Sequence, residues 1–550
     1  MSVNTEPRSP PSFGVTPPIS LAKPTEKDEE IAEKLLEELR QQSAFEIPEE
    51  VRTRESAISQ VEQLLNEFIK RIGLAQGLPE DALSNIRGKV LTFGSYRLGV
   101  HDPGTTIDII CVAPRHVPRH QFFEVFEPML KDMEGVTRVT GVPGAYVPII
   151  QADVSGVLLD ILFARVDLPT VPSDLSIEDD GLLRNLDERC IRSLNGPRVN
   201  DEIMKSVPNV EVFRSALRCV RLWAQRRAIL SNVHGFLGGV SWAILVARIC
   251  QLYPNGNVWA TITRFFFVMA QWTWPQPVLL KYITDGPLAF RIWNPRLYPS
   301  DRGHRMPVIT PSYPAMCSTH NVNSFTQQII TDELKRGTRI AERIAVGQAE
   351  CSELFTRTDF FKKYRYYLQI IVSYIDAQLQ LQWARTVESR LRQLVMKVEF
   401  VEHLGLAHPF IHGFEQTFYC VSGQEVIDVC MGQVSDDVDR KTQEDVEGVE
   451  GAATVYTTTF YVGLQVKPRP EGDTGARKLN LSYPIKEFND ILKRAPVHDD
   501  TKMGVFVRHV KVLRKPGQDS VQTSVTLNSS HDSLNPPGLS ISLSQTPKKD

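Results

Sequence analysis

Phe93-Gly-Ser-Tyr-Arg-Leu-Gly-Val-His-Asp-Pro-Gly-Thr-Thr-Ile-Asp108 is the most informative stretch of this 550-residue chain. It opens at the end of a short apolar run, Val90-Leu-Thr-Phe93, and closes inside a second, Ile107 to Val112, whose one charge is Asp108. Both runs read as strands. Gly94-Ser95 at a strand end lets backbone amides approach a phosphate, because glycine removes the steric obstacle and serine adds a donor. An Asp on the next strand can hold a metal against that phosphate. Asp160, in Leu158-Leu-Asp-Ile-Leu-Phe163, is the matching candidate. A carboxylate inside an apolar strand is expensive to bury unless it is paired or metal-bound. The plainer alternative is that Asp108 and Asp160 are strand-end hydrogen-bonding residues.

Working outward, Tyr146 to Ala152 and Val157 to Ala164 read as two further strands turning at Gly156. With flanking helices this predicts a mixed sheet. Upstream, Glu26 to Gln42 and Val51 to Gly73 are amphipathic helices, and acids fill the first turns of the former. Residues 1–25 carry six prolines and are expected to be mobile or extended. Downstream, Glu211 to Leu394 reads as mainly helical. Glu211 to Ile229 sets Phe213, Leu217, Val220 and Ala224 on one face and Arg214, Arg218 and Arg221 on another. Gly235 to Cys250 is too short for a membrane span and reads as a buried helix. Leu368 to Val372 is strand-like, and strands return after Phe410.

Composition narrows the class. The 62 Lys+Arg against 65 Asp+Glu leave a net charge of −3, so any nucleic-acid contact must rest on local positive charge. Arg214, Arg218 and the segment Lys467 to Lys515, with twelve basic residues against six acids, are the candidates for phosphate contact. Asp436 to Glu450, with seven acids in fifteen positions, reads as a solvated loop, and residues 516–550, with eight Ser and no aromatic residue, as a disordered tail. The eight cysteines show no C-x₂-C spacing, which fits scattered reduced thiols of an intracellular protein, and no secretory signal is expected.

The string 93–108 resembles the catalytic domain of eukaryotic poly(A) polymerases, DNA-polymerase-β-like nucleotidyltransferases. The resemblance continues through Gly14-Val-Thr-Pro-Pro-Ile-Ser20, Ser193-Leu-Asn-Gly196, Arg198-Val-Asn-Asp-Glu202, Leu222-Trp-Ala-Gln-Arg-Arg227, Gly235-Phe-Leu-Gly-Gly-Val-Ser-Trp-Ala243, Met306-Pro-Val-Ile-Thr-Pro311 and Val387-Glu-Ser-Arg-Leu-Arg392. Gln225-Arg-Arg-Ala228 is similar to fungal members. It implies an α+β multidomain fold: a disordered N-terminus 1–25, a mixed-sheet nucleotidyltransferase domain 26–205, a helical central domain 206–353, an RRM-like α/β RNA-binding domain 354–515 and a disordered tail 516–550. The helix 26–42 is expected to pack on the central domain.

The resemblance also implies AMP transfer from ATP to RNA 3′ ends in mRNA 3′-end processing. The chain would act as a nuclear monomer with cleavage and polyadenylation proteins as partners and no membrane. In the family three Asp bind two Mg²⁺ (or Mn²⁺), two of them at i and i+2 on one strand face. Asp108 and Asp160 carry over as catalytic and metal residues. Phe93, Gly94, Ser95, Thr105, Thr106, Ile107, Arg221, Leu230, Asn232, Gly239 and Val240 carry over to nucleotide binding.

This chain departs from the pattern. Thr106 replaces the first Asp, Arg221 the phosphate-facing Lys, Leu230 a Tyr that contacts ATP, Gln151 a Lys, and Asp102 the Gly of His-Gly-Pro-Gly. A hydroxyl cannot replace a carboxylate on a hard divalent ion. The departures predict impaired catalysis, or a degenerate paralogue that binds RNA or processing-complex proteins, or an altered nucleotide choice.

Overall fold

The computed structural model describes residues 13–45, 48–143, 147–468, 479–495, 498–499 and 503–511. The chain divides into two compact units. The first takes residues up to Arg226, Leu237–His320 and Asp332–Thr356; the second takes Arg227–Phe236, Asn321–Thr331 and the chain from Arg357.

The first unit is built on a five-stranded mixed sheet of order β1-β2-β5-β4-β3. The strands are β1 (Lys89–Phe93), β2 (Ile107–Ala113), β3 (Val136–Val142), β4 (Ile149–Val154) and β5 (Val157–Arg165). Only β2 and β5 run parallel; the other neighbours are antiparallel. The sequence reading misses β3, whose burial is only partial at an edge of the sheet. Strand periodicity sorts the side chains. Ile107, Ile109 and Cys111 of β2 join Leu159, Ile161 and Phe163 of β5 in one core with the helix Pro48–Ala75. Ile110, Val112, Leu162 and Ala164 form the opposite core with residues of the helix Glu188–Lys205. Asp108 and Asp160 share the parity of this second face.

Arg198 on Glu188–Lys205 anchors the covering loops. It is 3% exposed and donates to the carbonyls of Ile177, Asp179 and Tyr313 and to the Asp180 carboxylate. Arg198→Met strands these acceptors and should lower the stability of the unit by about 2–4 kcal/mol in denaturant unfolding. Wild-type stability in that variant would refute the anchor.

The helices Val210–Arg226, Gly239–Leu252 and Val258–Ala270 complete the unit around Trp223, Trp242 and Phe266, with Trp223 and Phe266 rings 4.9 Å apart, edge to face. Helicity is less continuous than expected, because residues 271–323 are largely irregular and held by isolated bridges such as Val278 to Val308. The helix Glu26–Gln41 is capped reciprocally by Thr25 and Asp28 and packs on Val258–Ala270.

The expected disorder of residues 1–25 is corrected for 13–25; residues 1–12 lie outside the described residues. The Ile19 amide donates to the Leu252 carbonyl (2.8 Å), Tyr282 to Val15 (2.9 Å) and Asn255 to Leu21 (2.7 Å). A proline-rich segment has few bonds to make with itself, and these outside donors and acceptors hold it.

The second unit carries an antiparallel sheet of order β10-β6-β9-β7, with β8 paired to β9. Its strands are β6 (Tyr366–Tyr374), β7 (Leu404–Pro409), β8 (Phe414–Cys420), β9 (Ala453–Val466) and β10 (Gly504–Lys511). With helices Ala377–Val398 after β6 and Ser482–Lys493 after β9, this is the βαββαβ order of an RRM, carrying an insertion between its second and third strands. The insertion covers the sheet: Val426, Val429 and Cys430 pack on Ile371. Beside them Arg508 donates to Gln369 (2.7 Å) and Gln369 to Tyr461 (3.0 Å). The face on which an RRM stacks bases is thus closed. Asp436 to Glu450, expected as a loop, contains the short helix Asp436–Arg440, which buries Val438. The tail 516–550 and much of Lys467–Lys515 lie outside the described residues.

His408 is a buried histidine of β7, its Nδ1 2.7 Å from the Tyr364 hydroxyl. Burial, aided by Lys363 and Arg227, pushes its pKa down to about 3. The unfolded chain therefore takes up this proton first. Stability is full above the ordinary value near 6.5 and is lost as pH falls toward 3, by about 1.4 kcal/mol per pH unit. Hydrogen exchange of β6 and β7 should accelerate on that slope, and His408→Gln should flatten it; an unchanged slope in the variant counts against this origin.

Candidate active site

Strand register places the two candidate carboxylates side by side. One row across the sheet runs Thr140, Gln151, Asp160, Asp108, Phe93. Asp108 and Asp160 are direct partners in the parallel pair, and Gln151 donates to Asp160 Oδ1 at 2.8 Å. Thr106 lies two residues before Asp108, at the mouth of β2 and on the same parity. Neither other nearby carboxylate fills its place. Asp153 pairs with Leu158 on β4 and β5, and that leucine stands between it and β2. Asp102 is engaged by Arg221 and Gln225 of the helix Val210–Arg226.

Burial pushes the Asp108 pKa up to about 7; the adjacent Asp160 charge adds to this and Arg221 opposes it. Two neighbouring carboxylates with too little countercharge suit a divalent cation, which prefers anionic oxygen. Among the described residues no group of three or more His, Cys, Asp or Glu could hold a metal. The donor set therefore fits a cation on Asp108 and Asp160 but lacks the third acid a closely held pair would use.

Gly94 is required here for a reason the sequence does not reveal. Its φ is +66°, and a Cβ on it would stand 2.2 Å from Asp108 Oδ2. Its amide is not free for a phosphate, because it donates to Asn200 Oδ1 at 2.7 Å. The missing side chain makes room for the carboxylate. Ser95 follows in the short helix Gly94–Leu98, which Arg97 fastens to Asp201 (2.8 Å). Asn200 and Asp201 belong to the Arg198–Glu202 motif, whose role as a clamp on the loop at 94–97 was invisible in one dimension. Phe93 presses its ring on Gly196, where a Cβ would come within 2.8 Å of it. Ile107 is 1% exposed in the core, so any nucleotide contact is left to its backbone.

The helix Val210–Arg226 grips the segment leading to β2. Arg214 donates to the Leu98 carbonyl (3.1 Å) and Arg218 to that of Gly99. Arg221 pairs with Asp102 (3.4 Å), and Gln225 donates to the same carboxylate oxygen (3.0 Å). This corrects the expectation that Arg214 and Arg218 reach RNA phosphates. Gly99 in the left-handed region ends its helix and leaves carbonyls that need donors, and Arg218 also stacks over Phe45 at 4.7 Å. Thr105 closes a turn through its amide and hydroxyl onto the Asp102 carbonyl. Gly239 and Val240 open the helix Gly239–Leu252, which has no side-chain cap. A Cβ on Gly239 would lie 3.4 Å from Arg221 Nη1, so the guanidinium rests beside that helix start.

Leu230 and Asn232 fall on Arg227–Phe236 and group with the second unit, where Asn321 donates to the Asn232 carbonyl at 3.2 Å. All eight cysteines are free thiols, and no helix among the described residues is long and apolar enough to cross a membrane.

Family models match nearly the full length. They are the poly(A) polymerase nucleotidyltransferase domain over 14–207, the poly(A) polymerase central domain over 212–357 and the poly(A) polymerase predicted RNA binding domain over 359–521. Poly(A) polymerase pla1 of Schizosaccharomyces pombe is 44% identical over 528 residues, covering 92% of this chain and 93% of the relative. Poly(A) polymerase PAPa of Candida albicans is 42% identical over 511 residues, covering 91% and 92%. Among solved structures, Cid1, described as an RNA terminal uridylyl transferase, aligns at TM-score 0.43 and 14% identity over 60% of this chain and 99% of its own.

Proposed function

This chain belongs to the poly(A) polymerase family, and on that premise we propose that it transfers AMP from ATP to RNA 3′ ends with an impaired catalytic centre. By family it is a polynucleotide adenylyltransferase. The observation that carries the reading is the register pairing of Asp108 with Asp160, with a threonine two residues before Asp108. We assign residues 26–205 to catalysis, 206–353 to the central domain and 354–515 to RNA binding. Nuclear mRNA 3′-end processing, a monomeric state and contacts with processing-complex proteins go with this reading.

Asp108 and Asp160 would hold Mg²⁺ or Mn²⁺. When bound, such an ion neutralises phosphate charge and lowers the pKa of an attacking hydroxyl. The chain's own residues supply position and charge. Gly94 keeps the space in front of Asp108 clear, and Asn200 and Asp201 hold the loop that carries it. Arg221 offers a cation at the uncapped start of Gly239–Leu252, where first-turn amides also favour anions. The lost carboxylate removes charge stabilisation that grows with charge transfer, so the step itself suffers more than binding.

Extension of a 5′-labelled oligo(A) RNA with ATP and Mg²⁺ or Mn²⁺ tests the assignment. Slow extension that Asp108→Asn or Asp160→Asn abolishes is expected; extension indifferent to both would refute it. A second reading, a catalytically silent RNA- or complex-binding paralogue, is favoured by Thr106 together with the Asp102 carboxylate on Arg221. It predicts tight RNA binding with no extension even in Mn²⁺. Preference for UTP or CTP over ATP would instead support altered nucleotide choice through Leu230 and Gln151.

A further inference from the structure

We propose that Asp102 is a built-in counter-anion of Arg221 that competes with nucleotide phosphates and sets how tightly this chain binds ATP. The proposal rests on the assignment of the Asp108–Asp160 face as a nucleotide site.

Three features bring the competition about. The first is where the carboxylate sits. Asp102 Oδ2 receives both Arg221 Nη2 (3.4 Å) and Gln225 Nε2 (3.0 Å), two side chains one helical turn apart on Val210–Arg226. The second is what else Arg221 faces. Its Nη1 lies beside Gly239 at the uncapped helix start, its Nε is buried with no hydrogen-bond partner, and its charge is felt at Asp108. Within the first unit, Arg221, a cation that an anion in front of Asp108 would meet, is therefore already paired. The third is that the pairing is preorganised. Thr105 donates its amide (3.2 Å) and its hydroxyl (2.7 Å) to the Asp102 carbonyl, across Pro103 and a left-handed Gly104 at φ +69°. Arg54 Nη2 also reaches that carbonyl (3.4 Å). The turn fixes the backbone, so the carboxylate stays on its partner rather than drifting into water.

A triphosphate drawn to Arg221 must therefore share the guanidinium with a carboxylate or push it aside, and it meets like charge in either case. The same contact costs adenosine nothing. Asp102 thus discriminates by charge and raises the ATP concentration the site requires. It also gives the arginine a resident partner when no nucleotide is bound, which avoids a partly buried lone cation.

The test is equilibrium binding of ATP, inorganic tripolyphosphate and adenosine to the full chain in Mg²⁺ without RNA. The proteins are wild type, Asp102→Asn, Arg221→Ala and the double variant. Asn at 102 preserves the turn and a polar partner for the arginine, so folding is retained. Asp102→Asn should tighten ATP and tripolyphosphate about tenfold, equivalent to about 1.4 kcal/mol, and leave adenosine unchanged. The gain should vanish in the Arg221→Ala background, where the double variant matches the single one. Equal constants for wild type and Asp102→Asn, with ATP bound by both, would overturn the counter-anion role and leave the nucleotide site standing. A gain that extends to adenosine or persists without Arg221 would overturn it too. No ATP binding by any of the four would remove the nucleotide site and the counter-anion together.

Discussion

Thr106→Asp raises the rate of ATP-dependent RNA extension by about 10²–10⁴-fold. Position 106 precedes Asp108 by two residues at the mouth of β2, so a carboxylate there joins the face that already carries Asp108 and Asp160. No other described acid takes that place, because Asp102 is paired with Arg221 and Asp153 is screened by Leu158. The gain appears in the rate of a single turnover at saturating ATP, since the added charge acts where charge is transferred. It must be absent in an Asp160→Asn background. Full recovery is expected to need Arg221→Lys and Leu230→Tyr as well. Unchanged single-turnover rates in Thr106→Asp, in a protein whose basal extension still depends on Asp108, would show that the missing acid is not what limits this chain.

Gly94→Ala should abolish extension by at least about 10²-fold and lower the stability of the first unit by about 1–3 kcal/mol. Two effects add. The residue sits at φ +66°, which a side chain disfavours by about 1 kcal/mol. Its Cβ would also stand 2.2 Å from the Asp108 carboxylate oxygen, so either the loop or the carboxylate must move. The strand and the clamp of Asn200 and Asp201 hold the loop, which leaves the carboxylate to give way. Gly104→Ala separates the two effects. Its φ is +69° but nothing lies within 4 Å of the added carbon. It should cost about 1 kcal/mol of stability. It should change single-turnover extension at saturating ATP, where any shift in ATP affinity drops out, less than about threefold, a loss too small for a displaced reacting group. Equal losses in both variants would mean that backbone strain, and not the collision, matters.

How far this was readable in advance differs from residue to residue. Asp108 and Asp160 announce themselves as charges inside apolar strands, and the i, i+2 parity of Thr106 follows from pleating alone. The helices Glu26–Gln41 and Val210–Arg226 are legible because their apolar spacing is local. β3 is not, since a half-exposed edge strand has little pattern to show. Arg214 and Arg218 mislead for a related reason. A stripe of arginines on a helix has one appearance whether it faces phosphate or the carbonyls of Leu98 and Gly99. The covered RRM-like sheet has the same origin, because its lid is an insertion that only folding lays over Ile371.

What one dimension carried is chemistry of residue type and near spacing: two acids on apolar strands and a glycine at a strand end, with the hydroxyl of Thr106 standing out only against the family pattern that the sequence resembles. Folding decided which of these groups meet. Asn200 reaches Gly94 across 106 positions, and Arg221 reaches Asp102 across 119. Periodicity is enforced within a few residues by backbone geometry, whereas such long-range pairs form only after sheet and helices have packed, and packing depends on the whole core at once.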